Sequence, residues 1–305
     1  MNLMRNALLW GSQSKRLQDT LTHYSFFQGA VKRFMPGEDL GSALAAAEAS
    51  QVEGISAIIT HLGENISTEA EADLVTRHYM EVLDHIKKRK LNANVSIKLT
   101  QLGLDISTDL ALKKLEVLIK RAAKHNNFVW IDMEGSPYVD RTLEIYRKVR
   151  KNHKNVGVCL QAYLHRTKKD LESLLPLSPA IRLVKGAYKE DPAIAYQSKA
   201  EVDKNYMALV YQMLERWGKN KNIIGIGTHD ENIVRTVQAL TGAKERCEFE
   251  MLYGIKSGLQ RQIAQRGYKM RVLISYGTHW FPWYMRRLAE RPANVWFVMK
   301  NLVNR

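Results

Sequence analysis

Residues able to do chemistry recur in this chain at one kind of place, the end of a short apolar run. Lys98 and Thr100 close one run, Asp132 and Glu134 the next, then Gln161 and Tyr163, Lys185 and Tyr188, Thr228 and His229, and finally Glu250. Such a set of cations, carboxylates, amide and phenols could bind a small anion or move a proton, and a lysine of lowered pKa could form a Schiff base. Taken singly, each residue has a plain structural reading: Lys98 or Asp132 as half of a buried ion pair, His229 in THDEN as a helix-start residue before Asp230. Six runs ending alike argue instead for a shared polar site. A second concentration is Tyr284-Met285-Arg286-Arg287-Leu288-Ala289-Glu290, read as helical. Arg286 and Glu290 are spaced i, i+4 and can pair along one face, while Arg287 points about 100° away. The adjacent guanidinium forks either line a solvated basic helix or grip a carboxylate bidentately, and the surrounding Trp280, Phe281, Trp283 and Tyr284 speak against full solvation. HExxH, paired CxxC and close His/Asp clusters are absent, so no metal is expected. With neither GxGxxG after the first run nor GxxxxGK[ST], a nucleotide would need another binding geometry.

Eight apolar runs must position these residues: 55–62, 93–100, 128–134, 156–164, 180–188, 223–229, 247–254 and 270–277. Between them lie segments such as EAEADLVTRHYMEVLDHIKKRK and DLALKKLEVLIKRAAKH, with apolar residues at helical spacing. Strands alternating with helices imply parallel βαβ units, and eight of them imply a closed (β/α)8 TIM barrel, whose active site is built at the strand C-termini. Residues 14–52 read as helices broken at Pro36-Gly37, and 280–291 and 294–302 as two more divided by Pro292. The expected organisation is a single domain: N-terminal helices packing on the barrel over 1–54, the barrel over 55–291 and a C-terminal helix over 292–305.

The chain has 305 residues, 45% apolar and 25% charged, enough for a large core and unlike a disordered protein. Its 46 basic against 31 acidic residues give +15, a charge drawn to polyanions. The basic runs KKRK at 87–90 and RKVRKNHKN at 147–155 fall on helix ends away from the polar rim, where a solvated face is the default and nucleic acid is not expected. Cys159 and Cys247 sit in apolar runs and read as buried small hydrophobes, which suits a reducing compartment. No stretch approaches the roughly 20 apolar residues of a membrane span, so a cytoplasmic protein is expected, with contact at the inner membrane surface as the membrane option.

The stretches VSIKLTQLGLDIS, WIDMEGSPYVDRTLEIY, CLQAYLHRT, IRLVKGAYKE, GTHD, FEMLYGI and YGTHWFPWYMRRLAERPANVWFV, in that order between about residues 93 and 298, resemble the proline dehydrogenase family. RLVKGAY together with a terminal YxxRRLxE-like helix is more specific than any one motif. The resemblance implies a (β/α)8 barrel with noncovalent FAD at the strand C-termini, oxidation of L-proline to 1-pyrroline-5-carboxylate, and a quinone as electron acceptor. It further implies that Gln161, Arg182, Val184, Lys185, Gly186, Ala187, Thr228 and His229 contact the flavin. Lys98, Asp132, Tyr188, Leu252, Arg286 and Arg287 would form the substrate pocket, with Glu290 holding an arginine in place. The chain departs from the family pattern at Leu273 in RVLISYG and at Trp283, both tyrosine positions, so a related cyclic or N-alkyl amino acid is the alternative substrate. Two rivals come from other classes: a Schiff-base lyase using Lys98 or Lys185, and a binding protein for anionic polymers.

Overall fold

The computed structural model describes residues 34–216, 223–240, 242–281 and 284–285. After helix α1 (Leu40–Val52), strands and helices alternate: β1 (Ser56–His61), α2 (Glu69–Lys88), β2 (Ala93–Ile97), α3 (Thr108–Lys124), β3 (Val129–Ile131), α4 (Val139–Asn152), β4 (Val156–Gln161), α5 (Thr167–Leu174) and β5 (Ile181–Val184). They continue as α6 (Lys199–Arg216), β6 (Ile224–Gly227), α7 (Glu231–Gln238), the short α8 (Ala243–Arg246), β7 (Cys247–Leu252), α9 (Ser257–Gln265) and β8 (Lys269–Tyr276). The eight strands are parallel, pair in sequence order, and close through β1 and β8, whose ladder runs from Ser56 opposite Arg271 to His61 opposite Tyr276. This is the (β/α)8 barrel expected from the alternation of apolar runs and amphipathic segments.

Local chemistry explains why the helices start where they do. Thr68 and Glu71 form a reciprocal capping box on α2, Ser107 caps α3, and Asp230 caps α7 through the N–H groups of Asn232 and Ile233. The helices bury one stripe each, Tyr79, Val82, Leu83 and Ile86 on α2 and Leu115, Leu118 and Ile119 on α3, against the outward faces of strands that carry Ile59, Val95 and Ile97. Inside the barrel Ile58, Trp130 and Ala180 pack with Phe128 and Leu273. Gly157 makes room for the Trp130 ring, which any Cβ there would strike. Cys159 and Cys247 are free and buried, and burial pushes both thiols up to about 12.

The strands are shorter at their C-terminal ends than the apolar runs suggest. β2 stops at Ile97, and a 3-10 turn over Leu99–Leu102 follows Lys98; β3 stops before Asp132 and β5 before Lys185. The polar residues that close the runs therefore lie largely on the loops, where backbone geometry can aim them. Of the helices expected over 14–52, only α1 falls among the described residues. Arg286, Arg287, Glu290 and Trp283 lie outside them. Trp280, Phe281, Tyr284 and Met285 are buried, and Trp280 donates its indole N–H to Glu38 just ahead of α1 (2.8 Å). No helix among the described residues is long and apolar enough to cross a membrane.

Candidate active site

Arg182 of β5 reaches across the barrel. Its Nη1 donates to Asp132 Oδ1 (2.8 Å), just past β3, its Nη2 to Ser96 Oγ on β2 (3.2 Å), and its Nε lies 2.8 Å from Glu250 Oε2 on β7. Residues of strands so far apart around the ladder can meet only in the barrel interior. The guanidinium also stacks over Trp130, 4.9 Å from the ring centroid. Ser96 donates to Asp132 Oδ1 as well (2.8 Å), so this carboxylate is held by two donors. Deeper in, Arg271 grips Glu248 bidentately at 2.7 and 2.9 Å and donates to the Ala57 carbonyl.

Around the strand ends the other expected residues form two groups. Lys98 donates its Nζ to Glu64 (3.0 Å) and to the Gly63 carbonyl (3.3 Å), both on the loop after β1. On the far side, Lys185 pairs with Asp203 of α6 and with Asp230 at 2.9 Å, and Lys199 binds the same two carboxylates. Burial would raise the Asp230 carboxyl, but the two ammonium groups outweigh it and hold the acid well below its usual range. Thr228 accepts from the Asp230 N–H, and the His229 ring accepts at Nε2 from the Leu252 N–H (2.9 Å), which leaves Nδ1 as the ring's donor in the neutral form. Gln161 is buried at the end of β4; its amide N–H goes to the Met133 carbonyl, and its Oε1 has no partner. Val184 ends β5, and Gly186 follows at φ +115, where a Cβ would overlap the Tyr163 ring. Ala187 and Tyr188 continue this half-buried loop.

That loop is braced. Leu164 and Ala195 form a β-bridge, Tyr196 donates to the Tyr163 carbonyl, and Asn205 of α6 donates to the Ala162 carbonyl. Glu190 ties it to the loop after β3, accepting from the Ser136 N–H (2.7 Å) and hydroxyl (2.6 Å). Among the described residues no group of three or more His, Cys, Asp or Glu side chains is arranged to hold a metal ion.

Comparison with known proteins gives the chain's family. The family model described as proline dehydrogenase matches residues 43–300. The chain belongs to the proline dehydrogenase family. With that family it belongs to the oxidoreductases. Proline dehydrogenase 1 of Bacillus subtilis is 36% identical over 307 residues, covering 99% of this chain and 100% of that one. The Deinococcus radiodurans proline dehydrogenase is 37% identical over 282 residues and 90% of each chain. Among solved structures, proline utilization A from Bdellovibrio bacteriovorus superposes with a TM-score of 0.75 at 25% identity over 86% of this chain, which spans 32% of that longer protein.

Several residues that shape this rim carry no clear mark in the sequence. Ser96 is a small polar residue inside an apolar strand, and Glu190 meets Ser136 across 54 positions. Asp203 and Lys199 have a usable signal, i, i+4 spacing on one helix, but nothing in the spacing points them at Lys185. Glu134 stands in the sequence beside Asp132 yet turns away from Arg182 to accept from the Thr100 N–H (3.2 Å) and hydroxyl (2.7 Å), so it braces the turn that follows Lys98. Burial pushes its carboxyl from 4.5 to about 7, against the opposing pull of the Thr100 hydroxyl and Lys98. The folded state thus holds a proton there that the unfolded chain has lost, and the stability this group contributes declines as pH rises from 4.5 through about 7. Glu134→Gln is expected to flatten the fall in thermal midpoint between pH 5 and pH 7; an unchanged slope would show that this carboxyl is not the one titrating.

Proposed function

We propose that the protein oxidises L-proline to 1-pyrroline-5-carboxylate with FAD as its cofactor, passing the electrons to a quinone. The observation that carries this reading is family membership over nearly the whole chain, joined to cations and carboxylates converging at the C-terminal ends of β2, β3 and β5. Two features suit a flavin at the ends of β4 and β5. Gly186 lets a ligand approach the backbone where no side chain fits, and Gln161 offers a buried acceptor that an N–H donor would satisfy. When bound, FAD supplies the acceptor for the hydride lost from the carbon beside the proline nitrogen.

The chain's own residues handle charge and protons. Lys98 on its loop, with Arg286 and Arg287, would bind the substrate carboxylate, Glu290 holding one arginine in place. That positive excess also lowers the pKa of the substrate amine, favouring the neutral form whose lone pair drives hydride loss; the amine proton leaves to solvent. Asp132 anchors Arg182, while Tyr188 and Leu252 would wall the pocket. Val184, Lys185, Ala187, Thr228 and His229 would complete the flavin side, His229 fixed by the Leu252 N–H. The basic surface would draw a cytoplasmic protein to anionic lipid, where quinone is found.

The test is a purified protein with flavin absorbance and a substrate panel using a dye acceptor. Bleaching by L-proline, with proline giving the highest kcat/KM, is the expected result. Colourless protein that takes up no FAD on refolding, or activity trapped by borohydride with a carbonyl substrate, would favour the Schiff-base reading. A related cyclic or N-alkyl amino acid is the second substrate reading, supported by Leu273: it lies opposite Leu252 on β7 and Ile58 on β1, an aliphatic surface in place of a phenol. Leu273→Tyr then shifts preference between the two substrates, and no shift removes this reading. Arg287→Lys is expected to raise KM for proline by about 10- to 150-fold, the loss of ~1.5 to 3 kcal/mol when a charge-assisted fork is replaced by a point charge. Unchanged kinetics would mean that the arginine does not touch the substrate.

A further inference from the structure

The charged groups enclosed by the barrel do not balance. Two guanidinium groups, Arg182 and Arg271, face three carboxyls, Asp132, Glu248 and Glu250. Arg271 and Glu248 satisfy each other bidentately, and Asp132 is held by Arg182 and Ser96. Glu250 is left with less. It is 4% exposed, its Oε2 meets the Arg182 Nε at 2.8 Å without a well-aligned hydrogen bond, and its Oε1 has no partner. It fits where it does because β6 carries glycine both at its register partner, Gly227, and two residues earlier at Gly225, where a Cβ would lie 2.5 Å from Oε1.

We propose that Glu250 is a positioning residue for Arg182: it carries the one proton that balances the barrel interior, and its charge decides how strongly the guanidinium is drawn inward from the strand ends. Of the groups around it, only the two arginines favour its charged form. Asp132 from the end of β3 and Glu248 from β7 repel its charge; Cys159 on β4 and Tyr206 on α6 are neutral; β6 offers no side chain. Arg182 attracts the charge, with Arg271 as a more distant aid. Burial with the two carboxylates wins over the arginines, and the acid is pushed up to about 7. Around neutral pH the group therefore exchanges one proton with solvent. Protonated, it leaves the Arg182 charge to Asp132 and to whatever lies at the strand ends; ionised, it competes for that charge.

This inference rests on the flavin reading only for its functional consequence. Infrared spectra of the protein in the carboxylic-acid carbonyl region test the proton directly. A band present at pH 6 and lost at pH 9 is expected, reduced by one carboxyl's share in Glu250→Gln. Glu134→Gln removes the other glutamate among the described residues that is pushed up to about 7, so the band it retains belongs to Glu250. Loss of the whole band in Glu134→Gln overturns the proposal, even should Glu250→Gln fail to fold. For the functional half, flavin release from wild type is expected to quicken several-fold between pH 6 and pH 8 and to be level in Glu250→Gln. Equal pH dependence in both variants overturns the coupling to Arg182. Protein that keeps the band but takes up no flavin would refute the flavin reading and leave the proton on Glu250 standing.

Discussion

Arg182→Met is expected to lower the thermal unfolding midpoint by on the order of 10 °C. The substitution removes the cation that Asp132, Ser96 and Glu250 surround and leaves two carboxyls inside the barrel without it. Breaking a buried pair from one side costs about 3 to 5 kcal/mol, because the remaining charge stays desolvated, and each kcal/mol is worth ~2 to 4 °C in a domain of this size class. The orphaned carboxyls will respond by binding protons, so the loss should be larger at pH 8 than at pH 5. A triple variant that also carries Asp132→Asn and Glu250→Gln should recover much of the midpoint, since no uncompensated charge is left. A shift of under about 2 °C in the single variant would mean that water already solvates this network.

The second large effect is on ligand retention rather than stability. Gly186→Ala places a methyl group where the Tyr163 ring already stands, in a backbone conformation that L residues rarely adopt. Strain of this kind costs about 1 to 3 kcal/mol, and the displaced ring must move a loop that the Leu164–Ala195 bridge and Glu190 hold in place. We expect flavin affinity to fall by roughly 100-fold, equivalent to ~2.7 kcal/mol, with a folded barrel by circular dichroism. Gly258 on α9 is the control: a Cβ there meets nothing within 4 Å, and Gly258→Ala should bind flavin as wild type does. Wild-type affinity in Gly186→Ala would show that the backbone beside Tyr163 takes no part in binding.

What the sequence made legible follows from what each kind of structure writes into local order. Strands of a parallel barrel are covered on both faces, so ISAIITHL or VGVCLQAYL appear as near-continuous apolar runs, and eight of them with helical segments between leave little choice of architecture. The placement of polar residues at the ends of those runs was equally visible. The interior was not. Arg182, Ser96 and Asp132 are separated by 36 to 86 positions and come together because the ladder closes, a condition no window of sequence contains. The family resemblance implies that Arg182 touches a cofactor, yet its described partners all lie within the barrel. Lys185 likewise reads as a rim cation, but two aspartates from α6 and the start of α7 surround it. In both cases residue type was informative and partner identity was not, since a lone cation in sequence says nothing about which carboxylate folding will bring to it.

The two free cysteines give the barrel a pair of internal clocks. Thiol reagents attack the thiolate, and with both thiols pushed up to about 12 the reactive fraction near neutral pH is roughly one part in 10⁴ or less, behind walls that exclude the reagent. Modification must therefore wait for the surrounding strands to part. Cys159 lies in register with Arg182 between β4 and β5, and Cys247 with Ile224 between β6 and β7. Their labelling rates in the native protein thus time the opening of two separate arcs of the same barrel, and a ligand that quiets one arc and not the other reveals which side it grips.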